Sequence, residues 1–192
     1  MTEPSESTGH GRFLEGDRIY LRDVNVGDVN ENYYRWMNDP EVTQYLETRY
    51  VPRYVPRSLN NIREFVEAMD GKTDEIFLAI CVKEHDRHIG NIKLGPINWV
   101  HRFGDISLLI GERDCWGRGY GAEAIGLLVR FAFRVLNLHK LRAGCYADNV
   151  GSMKAFEKNG FKREALLERQ WFVDGEWVDQ VLLGIENLPR TA

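Results

Sequence analysis

The sequence has little cysteine and no long apolar run. Its three cysteines, Cys81, Cys115 and Cys145, are odd in number and form no C-x-x-C pair, which argues against a disulfide framework and a thiolate zinc site. No apolar stretch approaches the roughly 20 residues that cross a bilayer. The first residues also lack the basic and apolar regions of a secretory signal. We therefore expect a cytoplasmic protein with no membrane partner.

The chain also lacks an excess of positive charge. Its 25 lysines and arginines face 29 aspartates and glutamates, for a formal net charge of −4. Proteins that bind nucleic acid release counterions with a basic surface, which this balance does not provide. Nucleic acid is therefore not expected as a partner. The 192 residues, 43% of them hydrophobic, fit one compact domain.

The order of predicted elements indicates a sheet with one crossover. Residues 1–12 are small and polar and predict a disordered tail, followed by a single domain at 13–192. Predicted strands lie at 18–22, 76–82, 89–94, 105–110 and 141–147, with a hairpin at 174–175, and predicted helices at 28–37, 59–69, 122–136 and 150–159. A strand, a turn, a helix and a parallel strand between 105 and 147 predict a βαβ-like crossover in an otherwise antiparallel sheet.

A glycine-rich turn, Trp116–Ala122, joins a predicted strand to a predicted helix. Gly117, Gly119 and Gly121 alternate there, so the backbone can approach a ligand without hindrance from Cβ atoms. The positive end of the following helix and the side chain of Arg118 favour an anion, and the turn suits a pyrophosphate. The alternative is that the glycines serve only a tight connection between strand and helix.

The turn does not match the common nucleotide motifs. It is not G-x-x-x-x-G-K-[ST], and the acidic residue that a Rossmann fingerprint needs about 20 residues later is absent, since residues 137–140 read Asn-Leu-His-Lys. An NTPase site and an NAD site are therefore not expected.

Three blocks of sequence resemble the GNAT superfamily of acyl-CoA N-acyltransferases. They are the turn at 116–122, the segment Asn149–Ser152 and the tripeptide Asn159-Gly160-Phe161. Two further segments, 34–42 and the hairpin at 173–179, are similar to its RimJ/RimL-type branch. The resemblance implies an α/β GNAT fold: a mixed, mostly antiparallel sheet of about seven strands, flanked by about four helices, with a splayed parallel strand pair that holds CoA. It also implies acetyl-CoA as co-substrate and an amine as acceptor.

The resemblance also implies cofactor contacts beyond the turn. In this superfamily the pantetheine lies in the gap between the splayed strands, at the place that Leu109 and Ile110 occupy here. Trp116 stands where many relatives carry glutamine or arginine, and Asn149 matches the asparagine that contacts the pantetheine arm. Phe156 lies at a cofactor-facing position where many relatives have a proton-donating tyrosine.

Two side chains are candidates for moving protons. Ser152 matches a serine that can lie near the cofactor sulfur and protonate the leaving thiolate; the alternative is an ordinary serine at a helix start. Asp105 opens the strand before the turn, where relatives often carry a glutamate, and is our candidate for the general base; the alternative is a solvated carboxylate at a strand end. Glu112 is expected to be a surface loop charge. Cys115 is not expected to act as a nucleophile, since direct attack by an amine needs no covalent enzyme.

The acceptor pocket is expected from the loop after the first helix and from the late hairpin. The candidate lining residues are Glu41, Tyr45, Trp171 and Trp177. For the aromatic residues the alternative is ordinary core packing. Residues 50–54 are expected to form a lid or a plain connection. His85 and His88 are expected to be exposed turn residues, and no metal is predicted.

These features favour transfer of an acetyl group to a primary amine on a small molecule, such as a nucleotide-linked amino sugar. Two alternatives stay open: acetylation of a protein N-terminus, and a non-catalytic sensor that binds acyl-CoA. A homodimer is also left open.

Overall fold

The computed structural model describes residues 11–46 and 57–188. Its strands are β1 (Leu14–Glu15), β2 (Ile19–Asp23), β3 (Ile76–Val82), β4 (Arg87–Asn98), β5 (Phe103–Ile110), β6 (Lys140–Tyr146), β7 (Lys162–Val173) and β8 (Glu176–Glu186). Its α-helices are α1 (Glu31–Asn38), α2 (Pro40–Thr43), α3 (Leu59–Glu67), α4 (Tyr120–Arg134) and α5 (Val150–Glu157). Of the tail predicted at 1–12, residues 1–10 lie outside the described range, as do the residues of the expected lid at 50–54.

All eight strands join one mixed sheet in the order β1-β2-β3-β4-β5-β6-β8-β7, and β5–β6 is its parallel pair. The expected α/β fold with one parallel pair in a mostly antiparallel sheet is therefore confirmed. Two short elements account for the difference from about seven strands and about four helices. One is the two-residue β1. The other is α2, which starts at Pro40 because proline fits the first position of a helix and Asp39 accepts the Glu41 amide at 2.9 Å.

Helices cover both faces of the sheet. Helices α4 and α5 pack on one face and bury the larger core, while α1 and α3 pack on the other around Trp36. Side chains alternate along β5, so Ile106 and Leu108 face α4, whereas Leu109 packs with the Trp36 cluster. Strand β5 therefore carries residues toward both helical layers at the place where the glycine turn begins.

A buried polar cluster lies beneath α1. Asp28 does not open α1 as predicted, because its carboxylate accepts hydrogen bonds from Arg22 at 2.6 and 2.8 Å, and Asn30 caps the helix instead. His88 lies in the same cluster with only 14% of its side chain exposed, and burial lowers its pKa. The expectation of an exposed turn residue was thus wrong for His88, whereas His85 is exposed.

Two features are absent from the described ranges, 11–46 and 57–188. These residues contain no group of three histidine, cysteine, aspartate or glutamate side chains able to hold a metal ion. They also contain no helix of the length and apolarity that a membrane crossing requires.

Candidate active site

The turn after β5 presents a run of free backbone amides. Gly117 and Gly119 have φ angles of +70° and +83°, which favour glycine. Within the described residues, the amides of 117–119 donate to no protein group. The amides of 120–122 belong to the first turn of α4, which has no preceding helical carbonyls to bond them. The first hydrogen bond of the helix joins the Glu123 amide to the Gly119 carbonyl at 3.1 Å. No side chain caps the helix, so these N–H groups and the positive helix end can bind an anion.

Two other residues of the turn have structural partners. Trp116 donates its amide to the Arg113 carbonyl at 3.1 Å and its indole N–H to the Ile110 carbonyl at 2.8 Å. The run of free amides therefore begins one residue after Trp116. Gly121 faces β5, where a Cβ atom would lie 3.1 Å from Leu108 Cδ1. Gly117 and Gly119 thus fit the interpretation of the motif as an anion site, whereas Gly121 fits the interpretation as a tight connection between strand and helix.

Arg18, directly before β2, contacts the turn from outside. Its Nη1 donates to the Arg118 carbonyl at 2.8 Å, its Nε donates to Glu123 Oε2 at 3.0 Å, and its guanidinium lies 4.8 Å from the Tyr120 ring centre. Glu123 also accepts the Arg18 amide at 2.8 Å. Burial opposes the charge of Glu123, but these donors hold its pKa below the ordinary value. No local sequence pattern predicts this contact, because its partners are 105 residues apart.

The parallel strands pair only briefly. Residues 103–105 of β5 pair with 140–142 of β6, after which β5 continues beside β4 alone. Asp105 lies at the last paired position, and both of its oxygens accept hydrogen bonds from Arg142, at 2.8 and 3.0 Å. The predicted base therefore stands where the strands part, engaged by an arginine.

The backbone beside this gap differs by one residue from the expectation. A side chain on Gly90 of β4 would collide with the Leu109 carbonyl, so that carbonyl points toward β4. Because main-chain groups alternate along a strand, those of Leu108 and Ile110 point into the gap. Leu108 and Ile110, and not Leu109, thus present main-chain groups on the side of the gap, where the Ile110 carbonyl also accepts the Trp116 indole N–H.

The start of α5 holds two predicted site residues and the core holds a third. Asn149 caps α5 by accepting the Ser152 amide at 3.1 Å, and its NH₂ group has no acceptor among the described residues. The Ser152 hydroxyl lies 3.3 Å from Cys145 Sγ, and burial raises the pKa of that thiol. Phe156, by contrast, is only 2% exposed and packs edge-on against Phe161. Its predicted role at the cofactor is replaced by a role in the core.

Asn159 joins the α5 segment to the glycine turn. Its Nδ2 donates to the Ala122 carbonyl at 2.8 Å and to the Ala155 carbonyl at 2.9 Å. These bonds hold the start of α4 and the end of α5 at a fixed distance from each other. The glycine turn and the Asn159-Gly160-Phe161 block thus belong to one connected structure.

Three aromatic rings line up near the end of β6. The ring centres of Tyr45 and Tyr146 are 5.7 Å apart, and those of Tyr146 and Trp171 are 5.8 Å apart. Tyr45 Oη lies 3.5 Å from Asp148 Oδ2. The Trp171 indole N–H is buried and has no acceptor within the described ranges. An unsatisfied buried donor is unfavourable by about 1–3 kcal/mol, so this N–H suits a polar group of a ligand.

The other two predicted acceptor residues lie elsewhere. Trp177 is 61% exposed and packs against Phe172, with the two ring planes tilted by 57°. Trp177 is paired with Phe172 across the two strands and lies on the same face of the sheet. Adjacent residues of a strand face opposite sides, so Trp171, next to Phe172, lies on the other face. Glu41 forms an ion pair of 2.5 Å with Arg113. Of the four predicted residues, Tyr45 and Trp171 are therefore brought together.

Glu112 is a buried hub and not the expected surface charge. It is 6% exposed and accepts hydrogen bonds from Arg35 at 2.6 Å, from the Trp36 indole at 2.9 Å and from Arg87. It therefore fixes α1 to the end of β5. Neighbouring Cys115 is buried, which raises the pKa of its thiol and disfavours a nucleophilic thiolate.

Known proteins resemble the chain along most of its length. It is 32% identical to the probable N-acetyltransferase YjcK of Bacillus subtilis (strain 168), covering 91% of this chain and 97% of that protein. A crystal structure of spermidine N-acetyltransferase from Vibrio cholerae, in complex with CoA and spermine, superposes with a TM-score of 0.77 at 22% identity, covering 89% and 96% of the two chains. A GNAT-family acetyltransferase from Bacillus anthracis gives 0.76 at 21% identity, covering 90% and 97%.

A family model supports the same assignment. The model described as "Acetyltransferase (GNAT) domain" matches residues 18–162, which is more than half of the chain. That range includes the glycine turn, the parted strands and the start of α5. The chain therefore belongs to the GNAT acetyltransferase family, and it is an acyltransferase that uses acetyl-CoA as donor.

Proposed function

We propose that the protein transfers the acetyl group of acetyl-CoA to a primary amine on a small molecule, and that the acceptor is an amino sugar, for example a nucleotide-linked one. The observation that carries the donor side is the run of free amides at 117–122, at the positive end of α4 and beside the parted strands. In this proposal the pyrophosphate binds these amides and Arg118, and the pantetheine arm runs along Leu108, Ile110 and Asn149.

A polyamine needs a cluster of free carboxylates; Asp148 lies beside the rings, 3.5 Å from Tyr45 Oη, but Asp105 is paired with Arg142, and Glu41, away from the rings, is paired with Arg113. The Vibrio cholerae enzyme is named for spermidine, and it supports a small amine in general rather than a polyamine here. A sugar ring can stack on aromatic faces, and one of its hydroxyl oxygens can accept a hydrogen bond from the buried Trp171 N–H.

The chain's own groups then handle the protons. The donor supplies an activated thioester, whose C–S bond breaks as the amine nitrogen bonds to the acetyl carbon. In the proposal Asp105, through a water molecule, takes the proton of the acceptor ammonium. Ser152 gives its hydroxyl proton to the leaving sulfur, and the second proton that the acceptor nitrogen loses as the amide forms restores the serine hydroxyl.

Three broader expectations accompany this proposal. The segments 34–42 and 173–179 support the RimJ/RimL-type branch, which includes acetyltransferases of small amines as well as of protein N-termini. The cytosol is the proposed compartment, and nucleic acid is not a proposed partner. A homodimer is compatible with the proposal.

The acceptor class is tested by measuring thiol release from acetyl-CoA with a panel of amines. The panel contains a nucleotide-linked amino sugar, a free amino sugar, spermidine and a peptide with a free N-terminus. We expect the highest kcat/KM with an amino sugar. Preferred turnover of the peptide would replace the proposal with N-terminal acetylation, and CoA binding without turnover of any amine would favour the sensor.

The role of Asp105 is tested by comparison with its ion-pair partner. Asp105→Asn is expected to lower kcat by roughly 100-fold or more, because general base catalysis contributes about 10²–10⁴. Arg142→Met removes the same ion pair but keeps the carboxylate, and we expect a loss of less than about 10-fold. Equal losses in both variants, with parallel drops in melting temperature, would assign Asp105 a structural role only.

A further inference from the structure

We propose that Arg18 is a positioning residue of the acyl-CoA site. It selects the orientation of the Arg118–Gly119 peptide in which the N–H, and not the carbonyl, faces the bound pyrophosphate. This inference rests on the proposed placement of the pyrophosphate at the glycine turn.

The peptide unit between Arg118 and Gly119 can adopt two orientations. Gly119 has a φ of +83°, but glycine adopts negative φ about as readily. The peptide between Arg118 and Gly119 can therefore rotate by half a turn at little steric cost. Since C=O and N–H point in opposite directions in a trans peptide, rotation would place the Arg118 carbonyl among the amides that receive the anion. A carbonyl oxygen there would repel phosphate.

Arg18 opposes this rotation by holding the Arg118 carbonyl on the outer side. Its Nη1 donates to that oxygen at 2.8 Å. The guanidinium is itself fixed, because Nε donates to Glu123 Oε2 at 3.0 Å and its plane lies over the Tyr120 ring. Glu123 also accepts the Arg18 amide at 2.8 Å, so both the backbone and the side chain of Arg18 are anchored to the first turn of α4.

The contact is specific to this arginine within the N-terminal segment. Arg12 is also partly exposed, but it pairs with Glu15 at 3.4 Å and lies over the Tyr20 ring, with no contact to the turn. Loss of either arginine removes one positive charge. Only loss of Arg18 frees the Arg118 carbonyl, which makes Arg12 a matched control for the effect of charge.

The inference is tested by calorimetry with three ligands and three variants. CoA carries the pyrophosphate and a 3′-phosphate, dephospho-CoA keeps only the pyrophosphate, and pantetheine has neither. Arg18→Leu is expected to weaken CoA and dephospho-CoA by the same factor, about 10- to 30-fold, from the loss of one hydrogen bond with a charged donor. Pantetheine affinity and the binding stoichiometry should not change. Arg18→Lys should recover most of the loss, and Arg12→Leu should bind like the wild type.

Other outcomes overturn the inference. They are unchanged CoA affinity in Arg18→Leu, an equal loss for pantetheine, or a loss for CoA that is absent for dephospho-CoA, which would indicate direct contact with the 3′-phosphate. The placement of the pyrophosphate is judged separately with Gly117→Val. If that variant binds CoA normally, the proposed placement fails; if it loses CoA while Arg18→Leu does not, only the role of Arg18 fails.

Discussion

Gly117→Val is expected to weaken CoA binding by roughly 100-fold or more. The φ of +70° at this position strains any β-branched residue, and the valine side chain would stand at the edge of the free amides. Loss of two hydrogen bonds to a charged phosphate, at about 1.5 kcal/mol or more each, gives this factor. Calorimetry with CoA measures the change directly.

Gly71→Val is a matched control for backbone strain. Gly71 follows α3 with a φ of +71°, and a Cβ atom there, as at Gly117, meets no other atom within 4 Å. Both variants should lose similar stability, about 1–3 kcal/mol, but only Gly117→Val should lose CoA affinity. Equal CoA affinities in the two variants would remove the pyrophosphate from this turn.

Glu112→Ala is expected to destabilise the protein by about 3 kcal/mol. The carboxylate is buried and shared by the Trp36 indole, Arg35 and Arg87. The two arginine side chains are 59% and 43% exposed and can be hydrated again, so most of the loss comes from the unsatisfied indole N–H and the cavity. Denaturant unfolding followed by tryptophan fluorescence measures it.

Two variants bracket this expectation. Glu112→Gln keeps an oxygen acceptor for the indole and should lose clearly less stability than Glu112→Ala. Glu84→Ala removes an exposed carboxylate near His85 and should stay within about 0.5 kcal/mol of the wild type. A Glu112→Ala protein as stable as Glu84→Ala would show that the hub does not hold α1 to β5.

Local patterns predicted most of the fold. The strand at Ile76–Val82 has its predicted bounds, and the long helix after the glycine turn appears two residues early, at Tyr120–Arg134. Strand β4 is longer than predicted because Pro96 sits at an irregularity between Leu94 and Ile97, where a proline does not break the ladder. Hydrophobic periodicity predicts these elements because each of them buries one face.

Side-chain partners were harder to predict because they depend on contacts distant in sequence. Nothing around Glu112 indicates that Arg35 and Trp36 will reach it from another element. The opposite orientations of Trp171 and Trp177 follow from the register of β7 with β8, in which Phe172 and not Trp171 is the partner of Trp177. A charged or aromatic residue in a turn-rich segment can therefore be recognised as a candidate site residue, but the sequence does not predict which side chains it will contact.

The anchoring of the turn by Arg18 has a consequence for the order of assembly. The Arg18 side chain contacts groups 100 and 105 residues later in the chain. During synthesis the arginine leaves the ribosome long before its partners exist, and closing so large a loop is entropically unfavourable until the intervening sheet has formed. The turn thus gains its outer anchor late, after the strands that link the two ends of this loop have paired.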